Sequence, residues 1–287
     1  MRAMGRNGES VREALAVRPG TVNLAGYDTA ATPLAPQKKG QLTKQLKADA
    51  SMLASLQERS YAEAVAGVGH RSVLLVLQGI DTSGKGGVVE HVVGQFGPAG
   101  VRVTAFKKPT PEELAHHFLW RIRKALPKPG LVGVFDRSHY EDVIVTRVHE
   151  LVPEAEWRQR YQEINAFEAE LVAGGTTIVK CFLHISYATQ RERLLARLDD
   201  PTKHWKFNEG DIDERAYWAD YQAAFAGMLQ NCCTEAAPWY VVPSDNKAYR
   251  NWAISQILRE VLTELDPQYP DPHLDLERLQ GRLQPPY

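Results

Sequence analysis

The sequence contains no uninterrupted apolar run of the roughly eighteen residues needed to span a membrane. Its opening residues, MRAMGRNGESVREALAV, lack the apolar core of a secretion signal. Cysteine is scarce: Cys181 and the adjacent Cys232 and Cys233 offer neither metal-ligand spacing nor an even-numbered disulfide framework. The expectation is a chain working in the reducing cytoplasm, without a membrane partner. An excess of one charge is missing too. With 34 basic and 35 acidic side chains the formal net charge is −1, so no global field draws in nucleic acid, and a polyanion must be met by a local cluster. The histidines at 116, 117, 139, 149 and 204 form no HExxH or other metal-binding spacing, and no GxSxG elbow occurs. Hydrolase chemistry has little support.

What is present fits one α/β domain with decorations. The 287 residues are 44% hydrophobic, enough to bury a large core. Residues 1–40 mix Gly, Pro, Ala and charge without a period and read as an arm lying on the body or partly disordered. From Leu42 the apolar positions Leu46, Leu53, Leu56 and Val65 recur at helical intervals, which predicts a long amphipathic helix. Short apolar runs then follow at 73–79, 101–106, 131–136, 176–185 and 239–244, each predicting a strand buried on both faces. The stretches between them, such as ELAHHFLWRIRKAL, EWRQRYQEINAFEAEL and YATQRERLLARL, carry helical patterns. Strand and helix alternation predicts right-handed crossovers and a doubly wound, parallel five-stranded sheet over residues 41–265. The proline-rich tail, 266–287, is expected to run extended over the surface.

The first strand leads into Gly79-Ile80-Asp81-Thr82-Ser83-Gly84-Lys85-Gly86-Gly87 and then the helical-looking VVEHVVGQF. Strand, GxxxxGK and helix in that order make a P-loop. Glycines let successive N–H groups turn toward phosphate oxygens, and Lys85 adds a point charge. Gly86 stands where a standard P-loop has the Ser or Thr that holds Mg²⁺, so another oxygen must position the metal. Asp81 is the candidate, because a carboxylate beside phosphates is repelled unless a divalent cation lies between them. Its plain alternative is an Asx-type turn.

The third run ends in Asp136-Arg137-Ser138-His139-Tyr140-Glu141-Asp142. An acid at the C-terminal end of a parallel strand has the position of a Walker-B carboxylate, so Asp81 and Asp136 are expected to share one metal. Arg137 can meet a phosphate with its fork; the bland alternative is a surface Asp-Arg pair. Beyond the fourth run, Arg193 and Arg197 share a helix face, and Lys203 and Lys206 follow a helix-ending proline. Residues 187–215 read as a hinged basic lid over phosphates.

Together GIDTSGKGG, FDRSHYEDV, INAFE at 164–168, RLDDPTKHWKF at 197–207 and APWYVVPSDNK at 237–247 resemble the polyphosphate kinase 2 family, from about Gly20 to Tyr269. The resemblance implies a fold similar to thymidylate kinase and transfer of phosphoryl groups from inorganic polyphosphate to adenine or guanine nucleoside mono- or diphosphates. It implies Mg²⁺, with Mn²⁺ as a substitute, and a homodimer or homotetramer. By motif alignment the family's functional positions fall on Asp81, Lys85, Asp136, Arg137, Arg193, Arg197, Lys203 and Lys206. The HYED at 139–142 and the KHWKF ending look like the class that accepts both AMP and ADP, although many of its members carry Asn where this chain has Asp136. Tyr140, Glu141 and Asp142 then become candidates near the nucleotide; the two acids can equally serve to open a helix. An ATP-dependent nucleoside or nucleotide kinase would share the loop, second acid and arginines, and predicts phosphorylation of AMP by ATP alone. A non-catalytic polyphosphate- or nucleotide-binding regulator predicts no Mg²⁺-dependent turnover.

Overall fold

A computed structural model describes residues 10–18, 20–38 and 40–283; the first nine residues of the expected arm and the last four of the tail lie outside them. Five strands, β1 (Ser72–Gln78), β2 (Val101–Ala105), β3 (Val132–Asp136), β4 (Thr176–His184) and β5 (Trp239–Pro243), fall where the apolar runs predicted them. They form one sheet in the order β2-β3-β1-β4-β5, parallel at every pairing. The helices in chain order are α1 (Val11–Leu15), α2 (Gln41–Val65), α3 (Lys85–His91), α4 (Pro111–Leu114), α5 (Trp120–Ala125), α6 (Glu141–Val148), α7 (Glu154–Ala173), α8 (Tyr187–Leu198), α9 (Gly210–Asp213), α10 (Trp218–Asn231), α11 (Lys247–Leu265) and α12 (Leu276–Arg282).

Both faces of the sheet are covered, which explains why β1 reads as a continuous apolar run. Leu74 and Val76 pack with α5, α6, α7 and α10, whereas Val73, Leu75 and Leu77 pack with α1, α2, α3 and α11. β2 departs from the expected two-faced burial. It is an edge strand with a single neighbour, and Val103 is 45% exposed. The polar Arg102 and Thr104 between its apolar residues were the sign of this, since alternation marks a half-covered strand.

The arm is held by its own cap and by the sheet. Ser10 and Glu13 form a reciprocal capping box that starts α1, burying Val11 and Leu15. Ala16 then bridges antiparallel to Tyr240, and the Val17 N–H donates to the Trp239 carbonyl at 2.9 Å, covering the free edge of β5. The ELAHHFLWRIRKAL pattern is two short helices rather than one. Thr110 caps α4 through a second capping box, and the turn after it lets His117 Nδ1 accept from the Leu119 N–H at 3.3 Å. The tail first runs extended, with the Tyr269 hydroxyl donating to Glu58 at 2.9 Å. It then forms α12 behind the N-cap Asp275, a helix where extended chain was expected. No helix among the described residues is long and apolar enough to cross a membrane.

Candidate active site

The central strand β1 lies between β3 and β4, so its C-terminal end opens on the crevice where such sheets bind ligands. The chain leaves β1 at Gly79 (φ +152°), where a Cβ would stand 2.7 Å from the Leu183 carbonyl oxygen. Thr82 follows in a left-handed conformation (φ +66°), a strain that loops at binding sites commonly store. Lys85, the first residue of α3, folds back over the loop, its Nζ donating to the carbonyls of Gly79 at 2.6 Å and Ile80 at 3.3 Å. Burial, seconded by the charge of Arg137, pulls its pKa below the ordinary lysine value, against the attraction of Asp81, Asp136 and Glu141.

Asp136 ends β3 with its Cα in register with Leu77 of β1, and the Arg137 N–H donates to the Leu77 carbonyl at 3.0 Å. That bond stitches the second acid to the base of the loop. Arg137 adopts φ +64° and turns its guanidinium onto Asp81, with Nη2 2.5 Å from Oδ1. Burial works to raise the Asp81 carboxyl, but Lys85 and Arg137 together hold it below the usual aspartate range. Asp136 acts electrostatically on the same two cations. The structure thus brings Asp81, Lys85, Asp136 and Arg137 together at one strand end.

The open valences of this cluster favour an anion and a hard cation. The Thr82 and Ser83 hydroxyls are buried without a hydrogen-bond partner. The half-buried Asp136 carboxylate is committed to no side-chain partner among the described residues, and Asp81 has one oxygen beyond its Arg137 bond. No cluster of three or more His, Cys, Asp or Glu among the described residues could cage a metal by itself. Two carboxylates that leave the remaining positions to water and phosphate suit a hard divalent cation.

The sequence matches the family described as Polyphosphate kinase 2 over residues 37–270. This chain belongs to the polyphosphate kinase 2 family. It is 47% identical over 79% of its length to an AMP/ADP-polyphosphate phosphotransferase of Meiothermus ruber, of which the match covers 83%. It is 40% identical over 92% of its length to an ADP-polyphosphate phosphotransferase of Rhodopseudomonas palustris, covering 94% of that protein. The crystal structure of Polyphosphate Kinase 2 from Arthrobacter aurescens superposes with a TM-score of 0.92 at 47% identity, covering 96% of each chain.

Within this polyphosphate kinase the basic residues after β4 divide into two groups. Arg193 is bound into the scaffold: Nη1 donates to the carbonyls of Thr82 at 2.9 Å and Ser83 at 3.0 Å, and Nη2 to those of Ser244 and Asp245. One turn earlier, Gln190 donates to the Asp81 carbonyl at 3.3 Å, so α8 braces the P-loop from behind. Arg197 lies nearer the opening, where its charge acts on Asp81 and its Nη1 sits 3.3 Å from Asp211. Lys203 is exposed and pairs with Asp200 at 2.6 Å; Lys206 is exposed, its ammonium 4.8 Å from the Trp205 ring centre.

The HYED segment divides as well. Tyr140, expected near the nucleotide, is fully buried, and its hydroxyl donates to Glu168 Oε1 at 2.7 Å. Glu168 also takes the Lys180 ammonium at 2.5 Å and lies 3.2 Å from His139 Nε2, while Lys180 further donates to the Cys232 carbonyl at 2.7 Å. Tyr140 is thus a core residue of a buried ionic knot and has no surface to offer a base. Glu141 accepts from Gln78 Nε2 at 2.9 Å and acts on Lys85 and Arg137, which places it at the loop. Asp142 sits 3.4 Å from Arg160 and 3.8 Å from Arg121. Burial outweighs these cations and raises its carboxyl to about 6.

Sequence reasoning missed Asp211, which burial and the charge of Asp81 push above its ordinary pKa, and Arg250, packed on the loop from α11. Asp211 falls in a polar stretch without a motif. Arg250 is separated from the loop by more than the sheet's whole second half, so neither left a local signal.

Proposed function

We infer that this chain transfers phosphoryl groups from inorganic polyphosphate to nucleoside mono- and diphosphates, AMP and ADP foremost. The observation that carries this is the convergence of Asp81, Lys85, Asp136 and Arg137 on the open end of β1 and β3 in a chain of the polyphosphate kinase 2 family. The acceptors follow from the names of its relatives, one acting on AMP and ADP and one on ADP. Asp81 and Asp136 would hold Mg²⁺, or Mn²⁺ in its place; when bound, the ion supplies charge neutralisation across the transferring phosphoryl oxygens.

The chain's own residues do the rest by position and charge. Thr82, Ser83 and the loop N–H groups receive phosphate oxygens, and Lys85 exchanges its two carbonyl contacts for an oxyanion. Arg137 and Arg197, whose charges both reach Asp81, would offset the negative charge that builds between donor and acceptor. The acceptor phosphate is already ionised near neutral pH, so no general base is required. Lys203 and Lys206 offer exposed charge to the remainder of the chain donor, and within the expected lid, 187–215, the part beyond the Gln190 and Arg193 anchors is the segment proposed to close over it. A polyphosphate has charge but no base to recognise, which a run of cations satisfies.

The deciding assay incubates the purified protein with Mg²⁺, polyphosphate and AMP or ADP in turn, and resolves the nucleotides by chromatography. Polyphosphate-dependent ADP and ATP are expected. Phosphorylation of AMP by ATP with no need for polyphosphate would instead make it an ordinary nucleotide kinase.

A further inference from the structure

We propose that Arg250 is a positioning residue for the phosphate loop, one that aims the Gly84 N–H at the bound phosphate by holding the Ser83 carbonyl from behind. The inference rests on the reading of this loop as the phosphate site. Arg250 lies in the first turn of α11, 3% exposed, with Nε and Nη2 bonded to Asn251 Oδ1 at 3.0 and 2.9 Å. Its Nη1 reaches the Ser83 carbonyl at 3.4 Å, the same oxygen that Arg193 binds at 3.0 Å. Two guanidinium groups from two helices therefore hold one loop carbonyl. A trans peptide is planar, with its C=O and N–H on opposite edges. Fixing the Ser83 oxygen on the helix side thus points the Gly84 N–H the other way.

The glycines of the loop record this contact. A Cβ on Gly84 would meet Arg250 Nη1 at 1.8 Å, and one on Gly87 would meet Nη2 at 2.6 Å, whereas a Cβ on Gly86 would meet nothing within 4 Å. Gly87 has no positive φ to explain it. In a helix, glycine is unfavourable relative to alanine, so its presence there calls for a reason, and the guanidinium supplies one. Arg250 has no carboxylate partner among the described residues. Burial, then the charge of Arg193, lowers its pKa to about 10. A buried cation beside another cation is stabilised when an anion arrives, which couples this residue to phosphate rather than to the empty fold.

The test measures binding of inorganic tripolyphosphate by calorimetry, with KM values for polyphosphate and for ADP and the thermal midpoint, in Arg250→Gln, Gly87→Ala and Lys85→Met. Arg250→Gln is expected to weaken tripolyphosphate binding about 10-fold to 100-fold and raise the polyphosphate KM while leaving the ADP KM unchanged. Gly87→Ala keeps the charge but displaces the fork, and is expected to weaken binding several-fold without lowering the thermal midpoint. In the Arg250→Gln background, Gly87→Ala should have no further effect on binding. Wild-type binding in folded Arg250→Gln and Gly87→Ala, or loss of fold in both, overturns the inference. Unchanged binding in Lys85→Met would instead sink the reading of the loop itself.

Discussion

Asp81 and Asp136 are the two side chains proposed to hold the metal, and they differ in their surroundings. Asp81 is already tied to Arg137, whereas Asp136 has only its position at the end of β3. Asp136→Ala, which removes both side-chain oxygens, is expected to cut kcat about a hundredfold or more with little change in thermal midpoint, since no ion pair is broken. Asp81→Asn should lose activity to a similar degree and also release Arg137. Both are checked by polyphosphate-dependent ATP formation beside a melting curve. Asp142 adds a pH signature. Its carboxyl is raised to about 6 by burial, against an ordinary 3.8, so the folded state binds more protons than the unfolded state between those values. Its contribution to stability is therefore present at low pH and lost as pH rises through about 6. Asp142→Asn should flatten that part of a stability-versus-pH curve, measured by urea unfolding.

At the scale of elements, the buried knot of His139, Tyr140, Glu168 and Lys180 ties three pieces of the fold together. It links the turn after β3, the helix α7 and the strand β4 directly beneath the Asp136-Arg137 turn. Burial tends to raise the Glu168 carboxyl, but Lys180 and His139 hold it below the ordinary glutamate range, so the Glu168–Lys180 pair is mutually dependent. Lys180→Met leaves Glu168 uncompensated and is expected to destabilise the protein by about 3–5 kcal/mol. The double replacement of Lys180 by Met and Glu168 by Leu should recover much of that, as read by denaturant midpoints. The INAFE segment and the HYED segment were each visible as sequence, but their meeting was not. Nothing in the local pattern of EWRQRYQEINAFEAEL says that its last buried glutamate faces a lysine in the following strand.

For the molecule as a whole, a formal net charge of −1 means that binding of a polyanion depends on local cations. The polyphosphate KM is expected to rise as ionic strength goes from about 0.05 to 0.2 M, because exposed charges are screened beyond roughly 10 Å. Lys203→Gln with Lys206→Gln should raise the KM at low salt and make it less sensitive to added salt. A salt response identical to the wild type would remove the two lysines from the donor path.

The sequence by itself determined the strand positions, the parallel alternation and the loop from Gly79 to Gly87, because each depends on residues adjacent in the chain. Only the tertiary structure settled that Arg193 and Arg250 grip the back of that loop and that Tyr140 points into the core. Those outcomes depend on which distant segments pack together, and a side chain's partner across the fold leaves no period or spacing in its own neighbourhood.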